Sequence, residues 1–305
     1  MSISTSRTSG NANVSIDHSK CTRCLFCVKV CKGMPLYFEN NMIQVDQSRL
    51  FGCIACGQCV AICPFGAIKV EGRLLNPSDV VPIPLKENRA SYEHVFNLMF
   101  ARRSVRDFHN QEIEQEVIDK ILKAASCAPM GIPPSDVRVV VLNGKDKVKE
   151  FSGDFIQQLS KIRWMFSKFS LIMMRPFISK TDYELFNTFL TPVIDFLIEK
   201  DKADEDWLLY GSPLAIGFFG GQASDPLDAD IAATYASIAA ESLGVGSCFI
   251  GTVPIFLKYG AKKMRNKYHI LPFKYGAWII FGYSKYSYHQ SIHRTFADIS
   301  YYQKS

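Results

Sequence analysis

The sequence predicts an α+β chain in two parts, a small cysteine-rich unit and a larger mixed domain carrying a helical insertion. Three observations predict it. A run of four cysteines occurs twice, CTRCLFCVKVC at 21–31 and CIACGQCVAIC at 53–63, displaced by 32 residues. The stretch 71–88, EGRLLNPSDVVPIPLKEN, has little periodicity and reads as an extended linker, because proline restricts itself and the residue before it. After it, helical and strand periods alternate, as an α+β or α/β domain requires. The expected boundaries are 14–70, a linker at 71–90, and 91–305.

Both cysteine runs have the spacing C-x2-C-x2-C-x3-C. Thiolates are soft ligands that suit zinc and iron–sulfur clusters alike. A four-cysteine zinc site takes two C-x2-C pairs separated by a longer loop. The spacing here is the bacterial iron–sulfur run, in which the fourth cysteine ligates the other cluster. That rule gives one [4Fe–4S] cluster Cys21, Cys24, Cys27 and Cys63, and the other Cys53, Cys56, Cys59 and Cys31. The second copy has Gly57 inside its triplet and Pro64 after its last cysteine, where the first has Lys32. On these residues 14–70 resembles a bacterial-type two-cluster ferredoxin.

The second part reads element by element. Ser91 caps a short helix running through Arg102. Ile113, Val117, Ile118, Ile121, Leu122 and Ala125 keep helical spacing over 112–126. VRVVVL at 137–142, PLAIGFF at 213–219 and AWIIFGY at 277–283 read as buried strands. DADIAATYASIAAESLG at 228–244 is an alanine-rich helix with Gly244 as its stop. The insertion, 155–200, carries one apolar face of Ile156, Leu159, Ile162, Phe166, Phe169 and Met173 and a second of Phe186, Phe189, Leu190, Val193, Phe196 and Leu197. Two such helices are expected to pack together as a lid or dimer contact. Lys161, Arg163, Lys168 and Arg175 leave the alternative of a basic amphipathic helix on a membrane.

Composition narrows the function. Hydrophobic residues at 48% and charged residues at 21% of 305 are those of a globular protein. The net charge of +6 comes without basic–aromatic interleaving, so nucleic acid is not an expected partner. The start, MSISTSRTSGNANVS, lacks a secretory core; it reads as a short tail or a cleaved organelle presequence, and the thiols point to a reducing cytoplasm. No apolar stretch reaches the roughly 20 residues a spanning helix needs. Cys127 and Cys248, outside the runs, read as small buried residues. GVGSCFIG at 244–251 fails G-x-G-x-x-G at Phe249, and no phosphate loop, zinc-hydrolase histidine pair or G-x-S-x-G elbow occurs.

ARRSVRDF at 101–108 gathers arginines around a serine, a set of donors suited to phosphate. Together with CAPMGIPPSDVRVVVL at 127–142, LGVGSCFIGTV at 243–253, the strand ending Gly282–Tyr283 and Arg294, it resembles the nitroreductase family of FMN flavoproteins over about 91–305. The resemblance implies that Arg102, Arg103, Ser104 and Arg106 hold the FMN phosphate and ribityl chain, joined by Arg294. It implies that Met130, Gly131 and Ile132 cover the flavin ring from the partner of an intertwined homodimer. Phe249 and Ile250 would pack on the other side, with the N–H groups near Gly251 and Thr252 approaching flavin N5. Pro133 and Ser135 replace the family's Asn and Gln, and no lysine matches the one that faces the flavin pyrimidine edge.

The expected function is an iron–sulfur flavoprotein oxidoreductase. Single electrons from a soluble low-potential carrier such as ferredoxin would pass through the clusters to FMN, which reduces a small acceptor such as a nitroaromatic or quinone. Two alternatives remain at this stage: a module that delivers electrons to a protein or senses redox state, and an NAD(P)H-dependent nitroreductase.

Overall fold

The computed structural model describes Ile3 and residues 10–132, 135–177, 179–221, 224–259 and 261–302. Pro133, singled out above, lies outside them, as does most of the polar N-terminal stretch.

Over 13–71 the chain folds twice in the same way. Helix α1 (Phe26–Val30) and strand β2 (Leu36–Glu39) of the first half recur 32 residues later as α2 (Gln58–Ala61) and β4 (Ile68–Glu71). Strand β1 (Asn13–Ile16) pairs antiparallel with β4, and β2 pairs with β3 (Met42–Val45). The repeat reaches single dihedral angles. Arg23 (φ 61°) and Leu25 (φ 64°) match Ala55 (φ 59°) and Gly57 (φ 72°), and Met34 (φ 63°) matches Gly66 (φ 59°). The N–H of Met34 donates to Cys31 O at 3.3 Å, and that of Gly66 to Cys63 O at 3.3 Å. Lys32 in the place of Pro64 therefore leaves the turn unchanged. Leu36, Ile43, Ile68 and Val70 form the core between the halves, together with Cys27, Cys53 and Cys59.

The linker leaves β4 through a tight hairpin bridged between Gly72 and Leu75. Two single 3-10 turns, Pro77–Asp79 and Lys86–Asn88, punctuate the exposed remainder.

The larger part has the order α3 (Tyr92–Ala101), α4 (Gln115–Ala125), β5 (Val137–Asn143), α5 (Lys145–Ile162), α6 (Lys168–Met174), α7 (Lys180–Leu185), α8 (Thr191–Lys202), β6 (Leu214–Gly220), α9 (Asp228–Ser242), β7 (Gly246–Phe249), α10 (Thr252–Tyr259), α11 (Lys262–Lys267), β8 (Tyr275–Gly282). The strands form one antiparallel sheet in the order β5-β6-β8-β7. Ser91 Oγ accepts the His94 N–H at 3.4 Å and starts α3; Gly244 (φ 73°) stops α9. Alternation along the central strands fills both faces. Phe219, Trp278 and Ile280 pack with Phe151 and Phe155 of α5. Phe218, Ile216 and Phe281 pack on the other face with Ile121 of α4 and Ala233 and Ala236 of α9, whose small side chains let that helix lie close to the sheet.

Three expectations need correction. Strand β5 forms as expected but is not buried: it is an edge of the sheet, and Val139 and Val141 are exposed. The first apolar face of the insertion is not continuous. Residues 155–162 are the end of α5, and a 3-10 turn at Arg163–Phe166 breaks the helix. Ile156 and Leu159 consequently face the core with Ile194 and Leu197 of α8, while Phe169, Met173, Phe189 and Phe196 are exposed. Arg163 and Asp195 clamp the break through two charge-assisted hydrogen bonds. Cys127 is exposed, because it follows the end of α4 in a turn where Sγ donates to Lys123 O at 3.5 Å; Cys248 is buried as expected. Among the described residues no helix is long and apolar enough to cross a membrane.

Candidate functional site

The eight clustered cysteines divide by cavity. Cys21, Cys24, Cys27 and Cys63 line one, with Ile16, Ile43, Phe26 and Phe65. Cys31, Cys53, Cys56 and Cys59 line the other, with Gly52 and Gly57. Each cavity thus draws three sulfurs from one run and the fourth from the other. The left-handed residues at 23, 25, 55 and 57 turn the chain so that the sulfurs of each triplet face inward. All ten cysteines are free thiols. Among the described residues no three His, Cys, Asp or Glu side chains converge closely enough for a single metal ion. Four sulfurs around one cavity, three from one run and one from the other, suit a cluster. Burial pushes the thiols of Cys27 and Cys53 up, and that of Cys59 to about 12. Such sulfurs stay neutral unless a cationic core draws the proton off. Ala67 N–H donates to Cys63 Sγ at 3.4 Å, a bond to sulfur whose repeat equivalent is lost because residue 35 is proline.

The arginine-rich segment lies along the free edge of β7. Ser104 bridges Ser247 in parallel register, and the Val105 N–H donates to Ser247 O at 3.0 Å. Two glycines permit this approach. A Cβ on Gly246 would stand 2.7 Å from Val105 Cγ2, and one on Gly282 would stand 2.5 Å from Phe108 Cδ1. Arg103 Nη1 donates to Gln290 O at 3.2 Å and Ser291 Oγ at 3.4 Å, and Ser291 Oγ donates to Phe100 O at 2.6 Å. The C-terminal segment is thereby pinned to the end of α3, three residues before Arg294. The Arg102 guanidinium lies near Glu241, whose carboxyl burial raises and that charge partly lowers. The Arg106 guanidinium sits 5.9 Å from the Tyr210 ring centroid. Ser104, Arg106 and Arg294 are exposed. Phe249 is exposed at the end of β7, and buried Ile250 anchors the turn by donating its N–H to Trp278 O at 2.8 Å. Gly251 and Thr252 then open α10, where the first N–H groups have no intrahelical acceptor. Arg102, Arg103, Ser104 and Arg106 thus form one edge, beside the segment that carries Arg294.

Met130, Gly131 and Ile132 do not join it. Met130 lines a cavity of about 340 Å³ with Ser126, Ser135, Val139, Phe218 and Asp228, at the β5 side of the sheet. Phe249 leaves β7, at the opposite edge, and the sheet order puts three strand spacings between them, roughly 14 Å. The sequence reading missed Asp228. Its buried carboxylate accepts the Gly131 N–H at 2.9 Å and the Asp225 N–H at 3.2 Å, fixing the Met130–Ile132 turn. An acid opening the alanine-rich helix was the available signal.

Paired thiolate cages ahead of an antiparallel α+β domain with a cation-lined edge define an iron–sulfur oxidoreductase. Residues 99–207 match the nitroreductase family, and residues 13–64 match the 4Fe-4S dicluster domain. The chain carries an N-terminal 4Fe-4S dicluster ferredoxin domain, and the segment after it is similar to the nitroreductase family. A ferredoxin of Methanocaldococcus jannaschii is 38% identical over 60 residues, 19% of this chain and 94% of its own. The archaeal-type glutamate synthase [NADPH] of Thermotoga maritima is 41% identical over 69 residues, 22% of this chain and only 12% of that enzyme's length. The larger part resembles the solved structure of a nitroreductase with bound FMN from Bacteroides fragilis, with a TM-score of 0.51 and 18% identity, over 68% of this chain and 98% of the other. One from Desulfitobacterium hafniense gives 0.50 and 18% over the same shares. At that identity the likeness is one of fold.

Proposed function

We propose that this chain is an iron–sulfur flavoprotein that takes single electrons from a low-potential carrier and delivers them in pairs to a small acceptor. The observation that carries this reading is the division of eight cysteines between two cavities, in one polypeptide with a nitroreductase fold. The cages would each hold a [4Fe–4S] cluster, and the larger domain FMN; when bound, these groups supply one-electron storage and pairwise delivery.

The residues do the rest. The cysteines line the two cages, four to each. The edge built by Arg102, Arg103, Ser104 and Arg106, with Arg294 on the adjoining segment, supplies the phosphate donors. The first N–H groups of α10, at Gly251 and Thr252, present partial positive charge where the ring's reactive edge would lie. Met130, Gly131 and Ile132, held by Asp228 at the other edge of the sheet, reach such a ring only from a second protomer. This separation favours a homodimer with the flavin at its interface. Nitroaromatics and quinones are the acceptor class a flat, open ring surface suits. Free cysteines in this number suit a reducing cytoplasm.

Anaerobic purification tests the assignment. Iron and acid-labile sulfide should match two [4Fe–4S] clusters and one FMN per chain. Zinc in place of iron, or a chain that takes up no flavin, would refute it.

A further inference from the structure

The two cages are nearly identical in backbone and differ in charge. Arg23 lines the first and Lys20 precedes its Cys21, while Lys29 and Lys32 stand on the helix and turn that lead from Cys27 of the first to Cys31 of the second; all four are exposed. The residues 32 positions on, in the same places of the repeat, are Gly52, Ala55, Ala61 and Pro64. The repeat is its own control: the fold holds a cage without these cations, so they are not needed to build one. Asp17, 3.3 Å from Lys20, is the acid that meets this group. Arg23 lines the first cavity beside Cys24, which is exposed, and Lys29 and Lys32 are held together by the Lys32 Nζ bond to Lys29 O at 3.3 Å. Phe26 and Phe65, also on the rim of that cavity, are about half exposed. An apolar centre with a cationic border over a sulfur ligand is a surface shaped for a protein partner.

We propose that this face docks an acidic electron-carrier protein, and that electrons enter through the Cys21, Cys24, Cys27 and Cys63 cage. The inference rests on the cluster-to-flavin reading above and adds its entry port and the partner's chemistry. With a cluster held in that cage, each encounter would pass one electron from the reduced carrier, which is oxidised, to the cluster, which is reduced by it. No proton or bond is exchanged, and two encounters supply one pair. Lys20 is partly met by Asp17, so Arg23, Lys29 and Lys32 set the attraction.

The test uses the full-length holoprotein and a reduced, strongly acidic plant-type ferredoxin as probe. Anaerobic stopped-flow mixing follows the clusters and the flavin as separate signals. The variant Arg23→Gln/Lys29→Gln/Lys32→Gln should associate at least tenfold more slowly at low salt, and the difference from wild type should vanish at high salt. Reduction of the clusters by dithionite, which needs no docking, should be unchanged, and this also shows that the variant is folded and loaded. A second set, Lys262→Gln/Lys263→Gln/Lys274→Gln, removes the same charge from the other domain and should have no such effect. Unchanged association in the first variant, or an equal loss in the second, overturns the docking face. A flavin that stays oxidised while the clusters of wild type are reduced by the carrier overturns the cluster-to-flavin reading and leaves the docking face standing.

Discussion

At the scale of single residues, the site depends on places where no side chain fits. Gly246 and Gly282 let the segment 103–108 lie against β7 and the end of β8. Gly246→Ala forces Val105 outward, a cost of about 1–3 kcal/mol for overpacking. It should lower thermal stability and weaken FMN binding more than it disturbs the distant cages, a split readable as flavin loss on dilution with iron content retained. A second local prediction concerns pH. Desolvation raises the Asp154 carboxyl, but donors from Lys267 Nζ at 2.5 Å and Tyr268 OH at 2.7 Å outweigh it and hold it below the ordinary carboxylate range. A carboxyl depressed on folding contributes stability that is present above its unfolded pKa and lost as pH falls through the folded one. Acid should therefore loosen the contact of α5 with α11. Asp154→Asn should flatten the acid limb of a denaturation profile and leave the neutral plateau lower.

At the scale of elements, α3 stands out because none of its residues is buried. Tyr92, Phe96 and Phe100 stack along it at centroid spacings of 5.8 and 5.6 Å, and Val95 and Met99 are exposed beside them. A helix with this much apolar surface needs a partner surface, and a second protomer is the one the proposed flavin site requires. Phe96→Asp should shift the protein toward monomer in sedimentation velocity and lower FMN occupancy with it. A monomer that keeps its flavin would separate the two properties. The elements also show what a sequence displays. The alanine helix, the buried strands at 213–219 and 277–283, the Ser91 cap and the Gly244 stop were legible because each has a local cause in residue type or period; the strand at 137–142 was legible as a strand but not as the exposed edge it is. The break at Arg163 was not. Helical spacing runs on through Phe166 and Phe169, and the interruption is fixed by Asp195, 32 residues away. Exposed Cys127 was misread for a related reason: residue type predicts average burial, while its place after the end of α4 decides the actual one.

At the scale of the whole molecule, the cage composition could be read from spacing, because a duplicated run assigns each fourth cysteine to the opposite half. The distance between Met130 and Phe249 could not. It depends on the strand order β5-β6-β8-β7, which no local pattern encodes. The central claim is that the clusters are the route by which electrons reach the flavin. The most direct measurement compares wild type with Cys56→Ala under anaerobic conditions, adding reduced ferredoxin or NADPH separately and timing flavin bleaching. The account predicts rapid bleaching of wild type by ferredoxin, slow bleaching by NADPH, and loss of the ferredoxin reaction in Cys56→Ala. Equally fast bleaching by NADPH in both proteins would contradict it and make the clusters an exit or a structural element.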